Sequence, residues 1–150
     1  MGIAVTEYVT LWRAFARQLK LGSQLIGALR TAEDELTDEA LKPVVGDIIR
    51  ACESGLAFHE ALGNYPGNFS LAVRTMVRAG EKGGVVDVIA ERIADGLDSG
   101  AFPLPGSKID GDVPALFWRA LAILVSSGTP ILRALELLAE EIVPDTMREA

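Results

Sequence analysis

Apolar residues recur three or four positions apart along most of this chain, and this spacing places them on one side of an α-helix. No segment alternates apolar and polar residues over a useful length, as a half-buried strand would. The pattern therefore predicts an all-α fold. The stripes comprise Tyr8, Leu11, Trp12, Phe15 and Leu19; Leu25, Ile26, Leu29 and Ala32; Leu41, Val44, Val45, Ile48, Ile49 and Cys52; a short helix over 58–62; Phe69, Val73, Met76 and Val77; and Val86, Ile89, Ile93 and Leu97.

Turn and capping residues separate these stripes. Gly-Ser at 22–23 interrupts the first two, and Thr-Asp-Glu at 37–39 predicts the start of the third helix. Pro43 then lies in or near the first turn of that helix, so the helix starts no later than Pro43. Gly55 is placed to end it. The sequence GNYPGN at 63–68 predicts a turn. Connections this short favour antiparallel neighbouring helices.

The chain also repeats part of itself. The stretch LWRAFARQLKLGSQLIGALRTAEDE at 11–35 resembles FWRALAILVSSGTPILRALELLAEE at 117–141, at a constant offset of 106 residues. The only two tryptophans of the chain fall in register, which makes coincidence improbable. The pattern indicates an internal duplication of a helical hairpin. The aligned pairs include Trp12 and Trp118, Arg13 and Arg119, Gly22 and Gly128, and Ala28-Leu29 and Ala134-Leu135.

A change of composition separates the two copies. Residues 100–114, GAFPLPGSKIDGDVP, hold three prolines and three glycines and predict a linker. The predicted organisation is a helical bundle over residues 6–99, this linker, and a partial second copy over residues 115–150 that forms a two-helix hairpin.

The net charge and the scarcity of cysteine and histidine argue against several classes of function. A net charge of −7 disfavours binding to nucleic acid and to anionic lipid headgroups. The single cysteine, Cys52, cannot form an internal disulfide, and its place on an apolar stripe predicts a buried structural thiol. One cysteine and one histidine do not make a zinc site of the usual kinds.

The chain shows no sequence signal for membrane insertion or export. Its most apolar run, residues 113–125, is too short to span a bilayer and is interrupted by Arg119. Residues 1–10 lack the basic start and apolar middle of a signal peptide. We therefore expect a cytoplasmic location.

Five short motifs, in this order and spacing, carry a resemblance to a known family. They are FARQL at 15–19, Gly22 between the first two helices, GLAFHEAL at 55–62, YPGNF at 65–69 and MVRAGEKGGVV at 76–86. The last of these is the most specific. Together they resemble the cytoplasmic domain of the type II secretion system F protein, a domain that also occurs in the type IV pilus inner-membrane platform protein.

The resemblance implies a six-helix antiparallel bundle that acts as a non-enzymatic platform. It implies contacts with the assembly ATPase and other inner-membrane platform proteins, at the cytoplasmic face of the inner membrane. The alternative is a stand-alone soluble adaptor unrelated to secretion, and a third class is a small helical enzyme or ligand-binding bundle. The positions that match family motifs or structural glycines are Arg17, Gln18, Gly22, Gly55, Gly80, Glu81 and Gly84.

The chain also departs from the family pattern. A hydrophilic linker stands where family members have apolar membrane spans, and the second copy stops after two helices. The bundle prediction does not depend on these missing parts, whereas the complete platform role does.

The segment AGEKGG at 79–84 allows two interpretations. A phosphate loop would need a preceding strand and a Gly-Lys-Ser/Thr ending, and this segment has neither. We therefore predict a corner in which Gly80 permits close packing and Gly83-Gly84 end one helix. Glu81 within it is expected either to pair with Arg17 or to be solvated, and the sequence does not decide between the two.

No arrangement of residues points to catalysis, a cofactor or a metal. The acidic stretch at 32–40 lacks the glycine and ligand spacing of a calcium loop, so it predicts a solvated turn. His59 has no nucleophile suggested nearby and is expected at the surface rather than as a catalytic base.

The second hairpin is more apolar than the first. Ile123, Leu124 and Ser126 stand where the first copy has Arg17, Gln18 and Lys20. A helix that is apolar on most faces must be buried, so the hairpin must pack on the first bundle or on another chain. We therefore predict a homodimer, with exchanged hairpins as one possible form. The apolar residues behind this prediction are Leu116, Phe117, Leu121, Ile123, Leu124 and Val125.

Overall fold

A computed structural model of the protein describes residues 3–102, 118, 121–122, 124–126 and 128–142. Every regular element in this part of the chain is an α-helix, which confirms the predicted all-α fold. Residues 118, 121–122 and 124–126 are helical as well. The helices are α1 (Val5–Lys20), α2 (Leu25–Glu35), α3 (Leu41–Glu53), α4 (Phe58–Gly63), α5 (Leu71–Gly83), α6 (Val86–Ser99) and α7 (Ile131–Ile142).

Helices α1 to α6 surround one apolar core, and each contributes buried residues from the stripe that the sequence predicts. Aromatic rings lie at its centre. The ring of Trp12 on α1 lies 6.1 Å from that of Phe58 on α4 and 6.2 Å from that of Phe69, just before α5. The pair with Phe69 is edge-to-face, a favourable geometry for aromatic rings. Trp12 thus joins the first helix to the middle of the bundle.

Helix α6 returns along α1 and closes the bundle. Arg13 on α1 pairs with Asp95 at 3.0 Å and Asp98 at 3.4 Å, both near the end of α6. Further along α1, Lys20 pairs with Glu91, which lies earlier on α6. Since the pairing order reverses, the two helices run antiparallel.

The third helix begins at Leu41, between the predicted capping residues and Pro43. Oδ1 of Asp38 accepts hydrogen bonds from the backbone N–H groups of Ala40 at 2.8 Å and Leu41 at 3.1 Å. Asp38 therefore satisfies the amides at the start of α3, which begins at Leu41. Pro43 is in the first turn, as predicted. Gly55 follows the helix with φ +110°, a value suited to glycine, and ends it as predicted.

The two copies of the duplicated hairpin share the same turn. Gly22 has φ +94° and Gly128 has φ +97°, both in the left-handed region. In each copy the amide that follows the glycine bonds to the carbonyl five positions back, on Gln18 and on Leu124, both at 3.0 Å. This is the hydrogen bond of a glycine-capped helix end. The sequence duplication is thus a structural one at this turn.

The second hairpin packs on its own first bundle. Helix α7 contacts α5, and Leu124, Ala134 and Leu138 are fully buried within the common core. Exchange between chains is therefore not needed to bury this side of the hairpin. Other apolar residues of the hairpin stay exposed. The one with the largest side chain is Trp118, which is 66% exposed.

The start of the predicted linker belongs to the bundle. Phe102 is 3% exposed, and a methyl group placed on Gly96 of α6 would lie 2.1 Å from its ring. The ring therefore lies directly on the helix backbone. Residues 103–117, including Leu116 and Phe117, lie outside the described part of the chain, as do Arg119, Ile123 and residues 143–150. The domain boundaries stay predictions.

Candidate functional site

The segment AGEKGG forms the last turn of α5 and the corner into α6. A methyl group on Gly80 would lie 2.8 Å from Cγ1 of the buried Ile89, so the close contact of the two helices needs glycine. Gly84 has φ +71°, and its amide bonds to the carbonyl of Gly80. A helix, rather than the strand of a phosphate loop, precedes the segment. The segment is the predicted corner.

Glu81 reaches from α5 to the first turn of α4. Its Oε2 accepts a hydrogen bond from the backbone N–H of Phe58 at 3.1 Å, and its Oε1 accepts one from the N–H of His59 at 2.7 Å. The residue before α4 is Ala57, which makes no side-chain cap. Because the first amides of a helix lack partners inside it and carry partial positive charge, a carboxylate is favoured there. Glu81 therefore caps α4 from a neighbouring helix.

The predicted pair between Glu81 and Arg17 is wrong. Arg17 lies on the exposed side of α1 and pairs with Glu35 of α2 at 2.7 Å. The alternative of a solvated Glu81 is also wrong, since its side chain is only 22% exposed and makes three hydrogen bonds. Both expectations failed because neither considered the backbone amides of α4 as partners.

His59 and Cys52 lie beside the same carboxylate. Nδ1 of His59 is 2.9 Å from Oε1 of Glu81, and the histidine side chain is 26% exposed. His59 is therefore half-buried, rather than the surface residue expected. Cys52 is also half-buried and packs against the core. Burial raises the pKa of its thiol, and the negative charge of Glu81 adds to that shift.

A row of basic residues lies on the exposed side of α1. Arg13, Arg17 and Lys20 follow one another at helical spacing, and each pairs with an acid of α2 or α6. With Glu91 and Leu21, the latter 74% exposed, they line an open groove of about 370 Å³. We call this the α1 groove. Because exposed ion pairs contribute only about 0–1 kcal/mol each, its charges can exchange partners at little cost.

A polar contact that the sequence does not predict joins α3 to the turn after α4. The hydroxyl of Tyr65 donates to Asp47, which also pairs with Arg50. The hydrogen bond from Tyr65 is the main cause that lowers the pKa of Asp47, and the same bond raises the pKa of Tyr65. The sequence shows only that Asp47 is a polar residue on α3 and that Tyr65 lies in a turn. Their separation in the chain matches no pattern that would predict a hydrogen bond between them.

The acidic stretch at 32–40 divides into separate roles. Glu35 pairs with Arg17, and Asp38 caps α3. Within the described part of the chain, no three His, Cys, Asp or Glu side chains come together as metal ligands would. No helix in the same part combines the length and apolar character that crossing a bilayer requires.

The part of the chain that matches known proteins is the part that forms the helical bundle. The family model of the type II secretion system protein F matches residues 11–99, more than half of the chain. Type II secretion system protein F of Vibrio cholerae is 29% identical over 94 residues, which are 63% of this chain and 23% of that protein.

Two type IV pilus assembly proteins named PilC are also similar. The protein of Thermus thermophilus is 33% identical over 97 residues, which are 65% of this chain and 24% of that protein. The protein of Myxococcus xanthus is 27% identical over 128 residues, which are 85% of this chain and 29% of that protein. The chain thus spans less than a third of the length of each relative.

The matched segment ends at residue 99, where α6 ends, and it contains almost all of the six helices that share the core. The motif residues that suggested the family, among them Gly80, Glu81 and Gly84, occupy defined positions in this bundle. The chain therefore belongs to the type II secretion system protein F family.

Proposed function

We propose that this chain is a non-enzymatic interaction domain of a secretion or type IV pilus platform at the cytoplasmic face of the inner membrane. The observation that carries the proposal is the coincidence of the family match, residues 11–99, with the packed unit α1–α6. The relatives' names all come from secretion and pilus assembly, so they do not favour an adaptor unrelated to secretion.

In this role the domain contacts the assembly ATPase and other platform proteins, and it transmits movements that the ATPase powers. A rigid helical block suits such coupling, because its closely packed core transmits strain. The core is continuous through all six helices, from Trp12 on α1 to Ile93 on α6.

The α1 groove is the surface we assign to the ATPase. It combines an exposed leucine with three basic side chains whose present partners are all exposed acids. A partner with acidic side chains around an apolar residue can replace those intrachain pairs and cover Leu21. Binding of this kind gains specificity and association rate from its charges and affinity from its apolar centre.

The same proposal includes self-association of the chain as a homodimer. The second hairpin retains exposed apolar side chains after packing on α5, among them Trp118 and Leu132. Exposed apolar patches are often functional, and contact with another protein is one of their uses.

A pull-down with the purified cognate assembly ATPase tests the proposal. We expect the full chain to retain the ATPase and Arg17→Ala to weaken retention. Arg30→Ala is the matched control, because Arg30 is a similarly exposed arginine that pairs with Glu53 away from the α1 groove. No retention by the unaltered chain at micromolar concentration would refute the ATPase contact. Equal effects of the two variants would refute the assignment to the α1 groove.

A further inference from the structure

Four connections without charged residues lie together at one end of the molecule, which we call the loop end. A cavity of about 260 Å³ joins the α1–α2 and α3–α4 connections, since Gln24, Leu56 and Glu81 line it. A neighbouring cavity of about 160 Å³ joins the α5–α6 corner to the turn before α7, since Gly83 and Gly128 line it. The connections are residues 21–24, 54–57, 84–85 and 128–130, and they contain no Asp, Glu, Lys or Arg.

Large apolar side chains are exposed at the loop end. Leu21 is 74% exposed, Leu56 is 39% exposed and Ile131, the first residue of α7, is 58% exposed. None of the three belongs to the buried core. Since ionised side chains are absent from the connections between them, this end can leave water without the large cost of desolvating charge.

Basic side chains surround the loop end just behind the connections. Lys20 is the last residue of α1, Lys82 lies in the last turn of α5, and Arg133 lies in the first turn of α7. All three are exposed. Lys20 pairs with Glu91 and Arg133 with Glu136, and such exposed pairs exchange partners at little cost. Long basic side chains around an apolar tip are suited to the phosphate layer of a lipid surface.

The acidic side chains nearest the loop end have their charge offset. Glu53 pairs with Arg30, and Glu81 accepts the first backbone N–H groups of α4. Glu60 and Asp87 lie in the first turns of α4 and α6, where the positive end of the helix dipole opposes their charge. The local surface is therefore not acidic, although the whole chain is.

A group of acidic residues lies at the opposite end, beside the start of α1. Glu7 accepts a hydrogen bond from the backbone N–H of Thr37 at 3.2 Å, which places the α2–α3 connection there. Helix α1 has 16 residues and is about 24 Å long, whereas charges are screened over about 8 Å at physiological ionic strength. Repulsion between this end and an anionic surface at the loop end is therefore weak. The acids are Glu7, Asp34, Asp38, Glu39 and Asp98, against the bases Lys42 and Arg74.

We propose that the loop end docks on a lipid bilayer that contains anionic phospholipids. Leu21, Leu56 and Ile131 enter the interface, the basic side chains meet the phosphate groups, and the separation of charge turns the acidic end away. The connections hold no aromatic residue, the type enriched in protein–protein contacts, which favours lipid over a protein partner. The inference rests on the inner-membrane location in the proposed function, but it does not depend on binding to the ATPase.

Flotation of the full chain with vesicles of phosphatidylcholine and phosphatidylglycerol tests the proposal. Leu56→Glu should lower the partition coefficient at least about tenfold, because it removes an apolar contact and adds a negative charge at an anionic surface. Ala40→Glu is the matched control, since it adds the same charge at an exposed position of the acidic end, and it should leave flotation unchanged. Lys82→Gln should lower the partition coefficient about fivefold on these vesicles and hardly at all on phosphatidylcholine alone.

A second measurement determines the orientation of the bound protein. Cys52→Ser removes the only native thiol, so a polarity-sensitive fluorophore can be attached through Ser54→Cys at the loop end or Ala40→Cys at the acidic end. Both positions are exposed. Vesicles should shift the emission to shorter wavelength at position 54 and leave it unchanged at position 40. Circular dichroism spectra that match the unaltered protein would show that each variant is folded.

Three outcomes would overturn the inference, and they differ in what they leave standing. Absence of flotation with either vesicle type would remove lipid docking, while retention of the ATPase in the pull-down would still support the proposed function. Flotation that Leu56→Glu and Ala40→Glu alter equally, or a shift of emission at position 40, would place the lipid contact elsewhere. Absence of flotation together with loss of ATPase retention in Leu56→Glu would assign the loop end to a protein partner instead.

Discussion

Replacing Glu81 by alanine tests whether this carboxylate caps α4. In the native protein it accepts hydrogen bonds from the backbone N–H groups of Phe58 and His59, and it contacts the ring of His59. Alanine removes all three interactions. Ala57 offers no side-chain acceptor. The two backbone N–H groups would therefore donate to water or have no hydrogen-bond acceptor.

The expected loss follows from these contacts. Removal of a helix cap costs about 0.5–2 kcal/mol, and a buried amide left without a partner costs about 1–3 kcal/mol. The site is only partly buried, so water can reach some of these groups. We therefore expect Glu81→Ala to reduce the free energy of unfolding by about 2 kcal/mol. For a domain of this size the melting temperature would fall by about 4–8 °C.

A second substitution makes the test specific. The backbone of Ala57 has φ −65° and ψ 153°, the extended conformation of a capping residue. Ala57→Ser should therefore recover about 1 kcal/mol in the Glu81→Ala background, because its hydroxyl can accept an amide of α4. In the unaltered protein Ala57→Ser should add almost nothing, since Glu81 already accepts those amides.

Urea unfolding of the four proteins, followed by circular dichroism, completes this double-mutant cycle. Glu81→Gln is a further control, because it retains an acceptor oxygen and should lose about half as much stability as Glu81→Ala. A loss below about 0.5 kcal/mol in Glu81→Ala would refute the capping role. Equal effects of Ala57→Ser in both backgrounds would also refute it.

Three further predictions follow from local contacts. Gly27→Ala should stabilise α2 by about 1 kcal/mol, because a methyl group there would meet no neighbour. Gly80→Ala should instead destabilise the protein by about 1 kcal/mol, because the methyl group would strike Ile89. Equal effects of the two substitutions in urea unfolding would contradict this. Arg17→Ala should change the free energy of unfolding by less than about 1 kcal/mol, since its pair with Glu35 is exposed, and a larger loss in the same assay would contradict it. Cys52 should react with iodoacetamide more slowly than free cysteine at neutral pH, because burial raises the thiol pKa and leaves less thiolate; a rate equal to that of free cysteine would be inconsistent with the half-buried thiol.

Much of the fold could be predicted because helical periodicity and helix ends depend on short stretches of sequence. The stripe from Leu41 to Cys52 requires only local spacing, and the corresponding helix is present as α3. Gly55 could be recognised as a helix end for the same reason, since its positive φ is a local backbone requirement. The start of α3 at Leu41 falls within the predicted range, because the capping signal at Asp38 is also local and precedes the first helical residue.

The candidate site could be predicted only in part. Gly80 and Gly84 were correctly interpreted as corner residues, because close packing and a left-handed turn both favour glycine. The partner of Glu81 was wrong because the amides that it caps lie more than twenty positions away in the chain. No spacing rule connects the end of α5 with the start of α4.

The sequence alone determined the helical class, the glycine turns and the duplicated hairpin, since each arises from interactions within a few residues or from direct comparison of two stretches. The tertiary structure decided which side chains meet. It buried Trp12 and left its second-copy equivalent, Trp118, two-thirds exposed. The physical reason is that burial and pairing depend on which helices cover a face. For two similar stretches of one chain, the helices that cover each face come from parts of the chain distant in sequence.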